Sequence, residues 1–272
     1  MVITITAVAA MAFYLCTALY HVWIGAPAVK KAENKKAVAL LTGGAIALAL
    51  HGVTAFGLVF NANGINLSLW PISVLILFVV NALVLASNIN RPLYSLLLLL
   101  FPAAALVLAL TMAFDTSGRS GGHLSFTIGV HVVLSLLAYS LLTIAALQSL
   151  LLAYQHYQLK HHHPGSFLLG GMPPLQTMEL LLFQVIWTGF VLLTLSLITG
   201  FLFIEDIWAQ HLAHKTFFSI VAWAMFAVLL WGRHSLGWRG NTAIRWTLGG
   251  FVSLALAYWG SKFVLEVVLG LG

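Results

Sequence analysis

The chain has 272 residues, of which 61% are hydrophobic and 7% are charged, and its mean hydropathy is +1.03. Soluble domains are about half apolar and about a quarter charged, so this composition excludes a soluble protein and indicates a polytopic membrane protein. The net charge of +6 does not indicate nucleic-acid binding, because the Lys and Arg residues lie in short connections, where they report membrane topology.

Eight apolar stretches are long enough to cross a bilayer, which requires about 20 residues each. Turn and breaker residues separate them, and no connection is long enough to form a soluble domain. We therefore expect an all-α helix bundle with eight transmembrane helices in one domain, residues 1–272. The predicted spans are about 3–24, 37–60, 69–88, 93–113, 124–155, 176–204, 214–235 and 244–269.

The first span lacks a basic leader and a convincing cleavage site, so it is interpreted as a retained helix and not as a signal peptide. The single cysteine, Cys16, lies in this span, which leaves no disulfide framework and no thiolate metal site.

The distribution of Lys and Arg predicts the orientation in the membrane. If the spans alternate, nine of these cations fall on one side, and only Arg119, Lys215 and Lys262 fall on the other. Since cations are enriched in cytoplasmic connections, both termini are expected outside. The nine are Lys30, Lys31, Lys35, Lys36, Arg91, Lys160, Arg233, Arg239 and Arg245.

His131 is an ionisable residue inside the apolar fifth span, and such a residue at membrane depth is by default a functional hypothesis. Ser135, Ala138 and Tyr139 lie on or near the same helical stripe. From the helical rise, His131 lies roughly 10 Å deep and His51 roughly 13 Å deep, in one outer layer. Two imidazoles facing an apolar slot would suit an octahedral haem iron.

His21 and His234 share the opposite, inner layer, and Trp223 lies on the same stripe of the seventh span as His234. Each of these histidines could instead form a structural hydrogen bond to a neighbouring helix. For His21, beside Trp23, an interfacial role is favoured. His214 and Trp208 could take part in an outer ligand site, although an exposed connection is the simpler interpretation.

Several motifs give the chain a resemblance to the cytochrome c assembly protein family, the CcsA/ResC/HemX group, and in particular its small YpjD-type inner-membrane members. The motifs are His131-Val with Ala138-Tyr139, Pro174-Leu-Gln, Gly189-Phe190, Thr199-Gly200, Trp223, Gly232-Arg-His, Gly237-Trp-Arg-Gly240, Gly249, Tyr258 and Gly260. The resemblance extends from about residue 70 to the C-terminus.

The resemblance implies haem handling during cytochrome c assembly, with His131 as an outer-side ligand and His234 as a membrane-embedded ligand. The family's tryptophan-rich outer motif is reduced here to Trp208, and Leu269 stands at about the position of the second outer histidine. We therefore expect haem binding, of the b type, without enzymatic activity, and a membrane protein partner in the cytoplasmic membrane. His51 is the predicted second ligand to His131.

Two other functions remain open from the sequence. One is a haem-free membrane adaptor or regulator on the same fold, which the reduced outer motif motivates. The other is a small-solute transporter, for which discontinuous helices and inverted repeats would be expected and are not evident.

Overall fold

The computed structural model describes residues 1–24, 34–61, 64–90, 93–114, 125–161, 172–203 and 213–263. These residues form long apolar helices, so the predicted all-α membrane architecture is confirmed. The helices are α1 (Val2–Ile24), α2 (Asn34–Val59), α3 (Leu69–Asn90), α4 (Tyr94–Ala113), α5 (Phe126–Lys160), α6 (Leu175–Phe203), α7 (Ala213–Ser235), α8 (Gly240–Ala255) and α9 (Ser261–Phe263).

Seven of the described helices, α1 to α7, are long and apolar enough to cross a membrane. The eighth predicted span corresponds to α8, which begins four residues earlier than expected, at Gly240. From Leu256 to Gly260 the helix widens into a π-turn before the short α9. The remainder of this predicted span lies outside the described residues, so a count of eight spans stays a prediction, as does the position of the termini.

One small element was not expected. The strands β1 (Phe60–Asn61) and β2 (Gly64–Ile65) pair antiparallel between α2 and α3, with Phe60 opposite Ile65. Gly64 has a φ of 116°, a conformation that residues with a side chain rarely adopt. The ribbon closes the connection between the two helices.

The chain divides into two compact units, called unit 1 and unit 2 here. Unit 1 comprises residues 1–122 and 155–174, and unit 2 comprises residues 123–154 and 175–272. The prediction of one domain is left as a prediction.

The core of unit 1 is organised around Tyr14 of α1, which is fully buried. Its ring lies 5.2 Å from the ring of Phe101 in α4 and 5.7 Å from that of His51 in α2. A Cβ at Gly44 would lie 2.8 Å from Phe101, so the absence of a side chain there lets α2 approach α4 closely.

In unit 2, consecutive helices run antiparallel. Toward one end of α5 and α6, His131 meets Ser196, and toward the other end Gln148 meets Met178. Helices α6 and α7 meet through Phe190 and Trp223 and, a few turns away, through Phe183 and Arg233. Helices α7 and α8 pack through Met225 and Phe226 against Gly249 and Gly250. Helix α8 is therefore antiparallel to α5.

Candidate functional site

His131, in the second turn of α5, is joined to α6 through one ring nitrogen. Its Nδ1 lies 2.9 Å from the carbonyl oxygen of Ser196 and 3.3 Å from Oγ1 of Thr199. Because a carbonyl oxygen can only accept a hydrogen bond, Nδ1 carries the proton. In the neutral tautomer with the proton on Nδ1, Nε2 is the ring nitrogen that can bind a metal.

Among the described residues, the Nε2 atom of His131 has one polar contact, a long one of 3.4 Å to Oγ of Ser135. That hydroxyl donates to the carbonyl oxygen of His131 at 2.7 Å and lies 2.7 Å from Oγ of Ser196. A serine hydroxyl has one proton, so this proton is already used by the carbonyl. The lone pair of Nε2 therefore lacks a short hydrogen bond.

A glycine on α6 gives His131 its space. A Cβ added at Gly200 would lie 3.1 Å from Cε1 and 3.4 Å from Nδ1 of His131. A side chain here would crowd the imidazole, so Gly200 permits the ring to lie directly against the α6 backbone. The sequence contains the Thr199-Gly200 pair, but the carbonyl of Ser196 was not predicted as a partner.

Deeper along α5, two turns from His131, Tyr139 forms an aromatic cluster with α8. The ring of Tyr139 lies 6.0 Å from that of Phe251 and 6.4 Å from that of Tyr258. Tyr258 belongs to the π-turn, an element that often occurs at functional sites. The stripe predicted on α5 is therefore polar near His131 and aromatic farther into the bundle.

Trp223 is fixed between α6 and α7. Its Nε1 donates to Oγ1 of Thr194 at 2.9 Å, and its ring stacks on Phe190 with centroids 5.7 Å apart. Thr194 in turn donates to the carbonyl oxygen of Phe190 at 2.8 Å. This contact makes Trp223 part of the joint between the two helices, and its predicted contact with a cofactor stays a prediction.

His51 lies in the core of unit 1 with no exposed surface. Its Nε2 lies 3.0 Å from the carbonyl oxygen of Val74, so Nε2 donates, and the hydroxyl of Tyr14 donates to Nδ1 at 3.1 Å. Both ring nitrogens are thus hydrogen-bonded within unit 1. To act as a haem ligand, His51 would have to give up one of these bonds, and its predicted pairing with His131 remains a prediction.

The other predicted site residues differ in burial. His21, in the last turn of α1, is 2% exposed, and its Nδ1 has no hydrogen-bond partner among the described residues. His234, near the end of α7, and His214, near its beginning, are both exposed. Trp208 lies outside the described residues, as does Leu269.

Glu179, in the first turns of α6, has a tertiary role that its sequence position does not reveal. A carboxylate near the start of a helix is expected to interact favourably with the positive end of that helix's own dipole. In the structure, Oε1 of Glu179 instead accepts a hydrogen bond from the backbone N–H of Gly240 at 2.7 Å. Gly240 has a φ of 54° and begins α8. The carboxylate therefore holds the start of α8 against α6.

The surroundings of His131 suit a single axial ligand to haem iron better than a site for a small metal ion. Among the described residues, no three His, Cys, Asp or Glu side chains converge as a structural zinc ion would require. A haem iron takes single axial imidazoles instead, and ligating imidazoles usually donate their other N–H to a carbonyl or carboxylate. His131 has this arrangement.

The profile of the cytochrome c assembly protein family matches residues 39–269. The chain belongs to this family. The inner membrane protein YpjD of Escherichia coli K12 is 35% identical over 228 residues, covering 82% of this chain and 85% of the relative. This finding confirms the resemblance noted from the sequence.

Other proteins are similar to the chain over shorter regions. An uncharacterized 28.8 kDa protein of Azospirillum brasilense is 33% identical over 55% of this chain and 56% of its own length. The cytochrome c biogenesis protein CcsA of Gloeobacter violaceus is 29% identical over 34% of this chain and 28% of its own length. No solved structure matches the chain.

Proposed function

We propose that this member of the cytochrome c assembly family is a haem-binding protein of the bacterial cytoplasmic membrane, in which Nε2 of His131 is an axial ligand. The observation that carries the proposal is the hydrogen bond from Nδ1 to the Ser196 carbonyl, which leaves Nε2 with only the long contact to Ser135 among the described residues. Its similarity to an inner membrane protein and to a cytochrome c biogenesis protein supports the location and the process.

The protein's own contribution is to hold and orient the cofactor. The Ser196 carbonyl fixes the tautomer and the ring orientation of His131, as such partners do for other ligating histidines. Gly200 lets the ring sit close to α6, and the aromatic residues of α5 and α8 exclude water deeper in unit 2. A bound haem would supply the porphyrin iron whose potential the axial ligands set.

Bis-histidine ligation is part of this proposal, with His51 as the predicted outer partner and His234, together with His21, as the inner candidates. His21 is the buried histidine with an unpartnered ring nitrogen among the described residues, which suits a ligand or a partner group. Holding and passing on a non-covalently bound haem needs no covalent catalysis by side chains. We propose that a membrane protein partner receives the haem.

The test is the absorption spectrum of the full-length protein purified from cells with ample haem, in the oxidised and reduced states. We expect a Soret band and a sharp α-band typical of low-spin haem in the wild type, and loss of most bound haem in His131→Ala. The control is His161→Ala, which removes an exposed histidine outside the proposed site. Full haem content in His131→Ala would overturn the assignment.

A haem-free adaptor is the second candidate, and one observation favours it. Both nitrogens of His51 are hydrogen-bonded inside unit 1, so the core around it is complete without a cofactor. This candidate predicts a stable purified protein with no Soret band that retains a protein partner during purification. The same spectrum separates the two functions.

A further inference from the structure

Two lysines lie at the same end of unit 2 as His131. Lys215 is in the first turn of α7 and Lys262 is in α9, whereas Arg233, Arg239 and Arg245 lie at the opposite end of the described part of this unit. Lys215 and Lys262 are also two of the three cations that the charge distribution of the chain places on the cation-poor side. Cations are depleted on that side of membrane proteins, and both of these lie in unit 2.

The height of Lys262 along the bundle follows from the aromatic cluster. Tyr139 contacts Phe251 and Tyr258, and His131 lies eight residues, or about 12 Å, from Tyr139 toward the beginning of α5. Helix α8 is antiparallel to α5. The chain from Phe251 to Lys262 therefore runs toward the end of the bundle at which α5 begins. Lys262 is four residues beyond Tyr258 and eleven beyond Phe251, which is about 6 to 16 Å. It is therefore level with His131 to within about one helical turn.

The height of Lys215 follows from Trp223 in the same way. Trp223 contacts Thr194, and His131 contacts Ser196 and Thr199, which lie about 3 to 8 Å farther along α6. Lys215 is eight residues, about 12 Å, from Trp223 in that direction. It lies just beyond His131, toward the end of the bundle.

Both lysines are half-buried, whereas Arg239 and Arg245 are exposed. A half-buried lysine near a helix end lays its apolar stem along the bundle and directs its ammonium group toward the interface. Unit 2 thus has cations at the level of His131 and beyond it, and the aromatic rings of Tyr139, Phe251 and Tyr258 on the other side of this level. This gradient matches a ligand with an anionic edge and an apolar edge.

We propose that Lys262 and Lys215 bind the two propionate carboxylates of the haem held by His131, with the apolar edge of the macrocycle toward Tyr139. The inference rests on the proposed function and adds the orientation of the ligand to it. Ammonium–carboxylate hydrogen bonds are charge-assisted and stronger than neutral ones, so they would select a tetrapyrrole with free carboxylates over an esterified one.

The experiment titrates the full-length haem-free protein in detergent with haem and, separately, with haem dimethyl ester, and follows the Soret band. We expect the wild type to bind haem more tightly than the ester. Lys262→Gln and Lys215→Gln should each weaken haem binding by about fivefold, the upper range for a part-exposed ion pair, and leave ester binding unchanged. Lys262→Arg should retain most of the affinity. The matched control is Arg245→Gln, which removes an exposed cation at the other end of unit 2 and should change neither affinity.

Equal affinity of the wild type for haem and its ester would overturn the inference, as would equal weakening of both ligands by the Lys→Gln variants, because the lysines would then act only on the fold. Either result leaves the proposed function standing if His131→Ala still abolishes the Soret shift. If His131→Ala binds haem as the wild type does, the proposed function itself fails.

Discussion

The Nδ1 nitrogen of His131 and the carbonyl oxygen of Ser196 are 2.9 Å apart, and this contact fixes the imidazole against α6 and determines which ring nitrogen remains available. The carbonyl cannot be removed by changing the side chain of Ser196, since it belongs to the backbone. The imidazole is therefore best displaced through the space that it occupies. Gly200 provides the means.

Gly200→Ala should reduce haem affinity by about tenfold without unfolding the protein. The new methyl group would lie 3.1 Å from Cε1 of His131, so the ring must move by a few tenths of an ångström. Gly129→Ala is the matched control, because a Cβ there meets nothing within 4 Å. Alanine is favoured over glycine in both helices by about 1 kcal/mol, so a loss of haem only in Gly200→Ala reports the contact. The measurement is Soret titration, and equal behaviour of the two variants would contradict the geometry.

Tyr14→Phe should destabilise unit 1 by about 1–3 kcal/mol, because it leaves Nδ1 of the fully buried His51 without its donor. The check is thermal unfolding in detergent. Tyr20→Phe, in the same helix, is the control and should have little effect. A Tyr14→Phe protein as stable as the wild type would show that the Tyr14–His51 contact does not support the fold.

Glu179→Gln should preserve the start of α8, and Glu179→Ala should loosen it. The amide oxygen of glutamine can still accept the N–H of Gly240, whereas alanine leaves this N–H unpaired at a cost of about 1–2 kcal/mol. Hydrogen–deuterium exchange of the segment around residues 236–246 measures the difference. Equally fast exchange in both variants would mean that the charge of Glu179, and not the hydrogen bond, holds α8.

Trp223→Phe should cost about 1 kcal/mol through loss of the hydrogen bond to Thr194. Thr194→Val should cost a similar amount, and the double variant should cost little more, since both changes remove the same interaction. Trp231→Phe, on the same helix with a side chain 60% exposed, is the control for loss of an indole. Thermal unfolding of the two single variants and the double variant measures the coupling energy between Trp223 and Thr194. If the losses of stability in the single variants simply add in the double variant, the hydrogen bond does not contribute.

Much of the helical architecture follows from local composition. The span expected at 69–88 is found at Leu69–Asn90 and that at 214–235 at Ala213–Ser235, because apolar runs of this length form helices wherever they occur in a bilayer. The start of α8 was placed four residues too late. It depends on Glu179, which lies 61 residues away in sequence, and no local pattern contains that information.

The sequence predicted which residues of α5 share a helical face with His131, but it did not predict which groups on neighbouring helices they contact. Helical periodicity places Ser135 and Tyr139 on the His131 side of α5, and the structure shows both in polar or aromatic contacts. The Ser196 carbonyl and the Tyr14–His51 hydrogen bond are tertiary contacts between helices. Periodicity within one helix cannot specify which neighbour it meets or at what height.

The π-turn at Leu256–Gly260 changes the direction in which the next described residues, Ser261 to Phe263, face. A π-turn accommodates an extra residue within a helix, and each residue of a helix turns the chain by about 100°. The π-turn therefore determines the direction about the helix axis in which Ser261 and Lys262 face, and this direction differs from the one that an uninterrupted α-helix would give them. The extra residue rotates Ser261 and Lys262 about the helix axis, while Gly249 and Gly250 stay packed against Met225 and Phe226.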